Sequence, residues 1–193
     1  MAKPLKYKSM PFGKRARNLF AFLLGELLSI WIVAAAAVIL LPTIVPAQFN
    51  WSGTALSSGF SFTLIIIALL FSIIPIAILI IALFRFKIVN DYPYLLNMPS
   101  FYANAKRIAP SRRSYWVNQY FKILLVGGVY ISAILLILVL EIYAAASKNY
   151  LNGFLSIIAP IVAIVAVAVL VLLLLKNLYS KMEVEASTRK RNK

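Results

Sequence analysis

The chain has 193 residues, 63 % of them hydrophobic, with a mean hydropathy of +0.91 and a formal net charge of +15. Soluble domains are about 45–50 % apolar, so the composition excludes an ordinary water-soluble globule. The absence of Cys and His excludes thiol redox chemistry, zinc sites built from those ligands, axial His ligation of haem and the usual neutral-pH acid–base residue.

The carboxylates are Glu26, Asp91, Glu141, Glu183 and Glu185. So small a polar inventory predicts a protein that is not an enzyme, with no cofactor or metal site. The cations carry the topology. All but Lys148 of the 20 Lys and Arg lie in the first 17 residues, between Arg85 and Lys122, or from Lys176 onward, and no charge falls between Glu26 and Arg85. Basic segments stay on the cytoplasmic side. The pattern therefore predicts an all-α membrane protein with four transmembrane helices, both termini cytoplasmic, and a basic inner loop.

In chain order, residues 1–17 form a basic cytoplasmic tail and residues 18–175 a four-helix membrane domain. The apolar run Leu19–Leu41 exceeds the ~7–15 residues of a signal h-region, which predicts an uncleaved first helix over 18–41. Pro42 and Pro46 stop it. The segment Gln48–Gly59 reads as a short outer loop of turn-forming residues, with Phe49 and Trp51 at interfacial depth. A second helix follows over 60–84. Pro75 predicts a kink near Phe71–Ser72, where the Ser72 hydroxyl can serve the freed backbone.

The inner loop reads as turns around Pro93 and Pro99, then a short helix from Ser100 to Ile108 lying in the headgroup plane, with Phe101, Ala105 and Ile108 on one face. An irregular loop packed on the helix ends is the alternative. Ser114 is the expected cap of a third helix over 114–146, whose first two turns project beyond the hydrocarbon. A tight outer hairpin at Ser147–Asn152 leads to a fourth helix over 153–175. Residues 176–193 form a polar, basic cytoplasmic tail, helical at first and frayed at its end.

Four features bear on function. Glu26 lies in the cytoplasmic half of helix 1, where a charge costs roughly 2.5–3.5 kcal/mol and so marks a functional or structural carboxylate by default. Ser29 and Lys122 are its expected companions. Glu141, near the outer end of helix 3, reads as an interfacial carboxylate in reach of water. Small residues recur every fourth position at Ala21, Gly25 and Ser29, and again at Gly128 and Ser132, spacings that permit close helix packing in lipid. Lys14, Arg15, Arg17, Lys106, Arg107, Arg112 and Arg113 are candidate contacts for anionic lipid. Nucleic acid is not an expected partner, because Tyr115 and Trp116 beside Arg112 and Arg113 read as an interfacial aromatic belt.

These features together predict a non-catalytic integral subunit that packs within a larger membrane complex, of respiratory, energy-converting or translocation type. Its partners are other membrane subunits and anionic lipid, and its place is a prokaryotic cell membrane. The alternative is a small oligomeric transporter or channel with Glu26 as a proton- or cation-linked site.

Overall fold

The computed structural model describes residues 6–50, 52–93, 99–148 and 153–191. Trp51, the residues between Pro93 and Pro99, and most of the expected hairpin after Lys148 lie outside these. The elements are α1 (Lys14–Leu40), β1 (Ile44–Phe49), β2 (Ala55–Phe60), α2 (Thr63–Leu83), α3 (Arg85–Asp91), α4 (Pro99–Arg107), α5 (Pro110–Lys148) and α6 (Gly153–Arg191). Four of them, α1, α2, α5 and α6, are long and apolar enough to cross a membrane. The molecule has a basic end, where the N-terminal arm, α3, α4 and the last turns of α6 gather, and an opposite end closed by the two strands.

Those strands replace most of the short loop expected over Gln48–Gly59, in a chain that is otherwise mostly helical. β1 and β2 pair antiparallel, with register irregularities at Pro46/Gln48 and Gln48/Phe49. Proline has no N–H to give a ladder, and it is tolerated where the pairing is already broken. The turn is held by Asn50, whose Oδ1 accepts from the Thr54 amide at 2.8 Å and from the Ser52 hydroxyl at 2.7 Å. Gly53 takes φ 84° there, a backbone conformation that glycine adopts without penalty. Gly59 lets the strands close up, since a Cβ on it would stand 2.8 Å from the Ala47 Cβ.

α5 is the central helix and packs against α1, α2 and α6. Two adjacent glycines make this possible. A Cβ on Gly127 would meet Val171 Cγ2 of α6 at 2.9 Å, and one on Gly128 would meet Ile78 Cγ2 of α2 at 3.0 Å and Leu23 Cδ2 of α1 at 3.2 Å. Leu23, Leu79, Ala82 and Leu125 bury one core between these helices; Ile30, Ala34, Ala68, Leu135 and Val139 bury a second nearer the strands. In α2, Pro75 deprives the Phe71 carbonyl of its amide partner. The Ser72 hydroxyl donates instead to the Ala68 carbonyl, at 2.6 Å, so it does not serve the freed group.

The largest cluster lies at the basic end. Phe86, Phe101, Ile108, Trp116, Phe121 and Met182 are among its buried members. Burial from water drives packing there, whereas between helices in lipid that drive is missing. Phe101, Ala105 and Ile108 do share a face of α4, as their spacing predicts, but all three are buried in this cluster. The apolar face of the short helix therefore packs on protein. Two N-caps also move. α4 starts at Pro99 and α5 at Pro110, proline being favoured at a first helical position, so Ser100 and Ser114 lie inside their helices. Beyond Lys176, α6 continues as helix to Arg191, with Leu178, Met182 and Ala186 buried one turn apart.

Candidate functional site

Two polar constellations are built into the bundle. The first clamps the N-terminal arm to the basic end. Arg85, just beyond α2, is buried with no carboxylate partner among the described residues: Nε donates to Asn118 Oδ1 at 2.7 Å, one terminal nitrogen to the Ala82 carbonyl at 2.9 Å and the other to the Met10 carbonyl at 2.7 Å. The guanidinium carbon stands 3.5 Å from the centre of the Phe12 ring, a cation–π contact strengthened by desolvation. Burial lowers its proton affinity, yet arginine remains charged in proteins. Asn118 Nδ2 donates to the Pro11 carbonyl at 2.9 Å. Asn90 accepts from the Tyr7 amide at 2.7 Å and donates to its carbonyl at 3.0 Å, while Ser114 donates to the Lys8 carbonyl. The sequence marked Ser114 only as a helix cap and Arg85 only as a cation at the end of a span; their role on the arm was hidden because their partners there are mostly backbone groups.

The second constellation surrounds Glu26. Its side chain is half-buried in α1 and faces Ser132 of α5, which is fully buried. Neither Glu26 Oε2 nor Ser132 Oγ makes a hydrogen bond among the described residues. Two residues picked out separately in the sequence thus meet across one helix contact. The expected companions do not: Ser29 donates to the Gly25 carbonyl of its own helix at 3.0 Å, and Lys122 lines a cleft with Arg15 nearer the basic end. Asn18, Ala21, Phe22, Gly25, Glu26 and Ser29 line an open groove along α1. Ala21 and Gly25 are exposed, and a Cβ on Gly25 would meet nothing within 4 Å. Among the described residues, no other helix packs on this ridge. Gly128 and Ser132, by contrast, lie inside the bundle.

The candidate lipid-contacting cations divide. Arg112 pairs with Glu185 at 3.2 Å, and Trp116 Nε1 donates to the same carboxylate at 3.1 Å, joining the start of α5 to the end of α6. Arg113 donates to the Ala105, Ile108 and Lys106 carbonyls at the end of α4, where a cation satisfies both orphan acceptors and the helix dipole. Lys14, Arg15, Arg17, Lys106 and Arg107 are exposed. Glu141 is half-buried and its Oε2 has no hydrogen bond among the described residues. Among those residues no three His, Cys, Asp or Glu side chains gather as a metal site would require.

A protein of Archaeoglobus fulgidus described as "Uncharacterized protein" is 36 % identical over 139 residues, covering 72 % of this chain and 74 % of its own length. No protein-family model matches the chain, and no solved structure matches it.

Proposed function

The chain belongs to the same family as the Archaeoglobus fulgidus protein, and we propose that it is a non-catalytic, multi-pass membrane subunit whose role is to bind a helix of another membrane protein along α1. The observation that carries this reading is the exposed ridge of Ala21 and Gly25 beside Glu26, which lines the same open groove. Small residues let helix backbones approach closely, and in lipid that packing is the main attraction available. A carboxyl group at membrane depth is costly, and a partner helix bringing a hydroxyl, amide or cation against the groove that Glu26 lines offsets that cost. The proposed setting is a prokaryotic cell membrane, with the basic end cytoplasmic and the strands outside.

The test is purification from native membranes in mild detergent. The wild-type chain is expected to carry partner subunits. Gly25→Leu, which fills the ridge, is expected to keep the fold and lose them. Wild-type protein that purifies alone, with Gly25→Leu behaving identically, removes the subunit reading.

A further inference from the structure

The cations of the basic end differ in what they touch. Arg85, Arg112 and Arg113 are held by contacts within the chain. Arg15 and Lys122 make no ion pair or hydrogen bond among the described residues, and both line each of two adjoining clefts, of about 390 and 250 Å³, between α1 and α5. Lys14 joins them in the smaller cleft, and Leu19 and Phe22 line the larger one. Among the described residues, no carboxylate lines either. The pair stands within about one turn of the points where both helices turn apolar, Leu19 in α1 and Ile123 in α5.

We propose that this cleft binds one anionic phospholipid, its phosphate between Arg15 and Lys122 and an acyl chain along Leu19 and Phe22. Charge complementarity selects the head: a guanidinium offers a fork matched to phosphate oxygens, and an ammonium adds a point charge. The N-terminus of α1 adds to it: Gly13 lines the smaller cleft and provides no side-chain cap, the first turn holds no acidic residue, and a helix N-terminus favours negative charge nearby. The apolar lining selects the tail. A free phosphate satisfies the cations but leaves Leu19 and Phe22 uncovered, whereas a phospholipid covers both. Lys106 and Arg107 are also exposed cations, but the apolar face of α4 is buried in the protein core, so they have no such floor. The cleft opens at Phe22 onto the ridge beside Glu26, so a bound lipid would abut any helix seated there. The site does not depend on that helix being present.

The full chain in neutral detergent is titrated separately with phosphatidylglycerol, phosphatidylcholine and inorganic phosphate, with apparent affinity taken from thermal stabilisation. Phosphatidylglycerol is expected to stabilise the protein at concentrations where the other two do not. Arg15→Gln with Lys122→Gln should weaken phosphatidylglycerol binding by about tenfold or more, the scale of two juxtamembrane cations. Arg15→Lys with Lys122→Arg, which keeps both charges, should stay within about threefold of wild type. Lys106→Gln with Arg107→Gln should change it by less than about twofold. If the double glutamine variant fails to fold, Lys122→Gln alone serves, with an expected loss of about threefold. The proposal is overturned if the Lys106 and Arg107 pair matters as much as the cleft pair, which indicates diffuse attraction. It is overturned equally if phosphate matches the lipid, which indicates a free-anion site, or if the cleft variants bind like wild type.

Discussion

Arg85 Nε donates to Asn118 Oδ1 at 2.7 Å, while the Nδ2 of the same amide reaches the Pro11 carbonyl at 2.9 Å. One asparagine thus orients a buried guanidinium and holds the N-terminal arm over it. Asn118→Leu leaves the Arg85 donor and the arm's carbonyls without that partner. Hydrogen bonds to charged groups contribute about 1.5–3 kcal/mol, and a stability loss of that order is expected in denaturant titrations in detergent. Trypsin should also cut sooner after Lys6 and Lys8, which are exposed on the arm. Unchanged stability together with unchanged cleavage would show that the arm is held by other contacts.

Gly127 and Gly25 predict opposite outcomes for the same substitution. A side chain at Gly127 collides with Val171, whereas at Gly25 it enters open space. Gly127→Leu should destabilise the isolated protein by about 1–3 kcal/mol, the usual cost of overpacking. Gly25→Leu should leave the isolated protein's unfolding curve in place. Equal curves for the two variants would contradict the packing of α6 on α5.

Glu26→Gln keeps the shape and hydrogen-bonding capacity of the side chain and removes its ability to change protonation state near neutral pH. The subunit reading expects normal assembly and normal host activity from this variant. Flux assays in vesicles containing only this protein give the contrary result its meaning. Proton-linked flux present in wild type and abolished in an intact Glu26→Gln protein would replace the subunit with a transporter.

Orientation is open to direct chemical reading, because the chain has no Cys. Ser57 on β2 and Ser187 near the end of α6 are both exposed, so single cysteines there report access without disturbing a core. An impermeant thiol reagent applied to intact cells is expected to label the Ser57→Cys protein and spare Ser187→Cys. The reverse pattern inverts the proposed topology.

Alkali should loosen the basic end. Burial, the largest cause, pushes the Tyr102 phenol up to about 12 from an ordinary 10, with nearby Tyr7 adding to the shift. The folded state therefore keeps a proton that the unfolded chain releases, and stability falls where the unfolded state binds fewer protons. The contribution is complete below pH 10 and is lost as the pH rises toward 12. Tyr102→Phe should flatten this part of the profile, followed by denaturant titration alongside tyrosinate absorbance. An equally steep decline in the variant would assign the loss to other groups.

The four long apolar helices were legible because an apolar run of sufficient length has few alternatives. The strands were not. Pro46 and Gly59 interrupt them, and Val45 is their one buried hydrophobic position, so no alternation marks them. Glu26 and Ser132 were each visible as polar or small residues at unusual places, but their meeting depends on how α1 crosses α5, which spacing along either helix does not encode. The extension of α6 was partly readable: Leu178, Met182 and Ala186 recur every four residues within a segment whose charges suggest a tail. Arg85 carried no signal beyond that of a cation closing a membrane span; the arm that buries it has no periodicity to announce where it docks.

α6 is anchored unevenly. Among the described side chains of its apolar half, Val167 is the buried one, while Ile161, Val162, Val165, Leu172 and Leu173 are exposed, and its firm attachments are Leu178, Met182 and Glu185 near its end. This matches the order of biosynthesis. When the ribosome has completed α5, the helices that form the two membrane cores are all in hand, and their packing can close before α6 has left the exit tunnel. The last helix then joins a finished bundle and is fastened by its final turns, so a chain interrupted within α6 would retain its membrane core and lose the latch at the basic end.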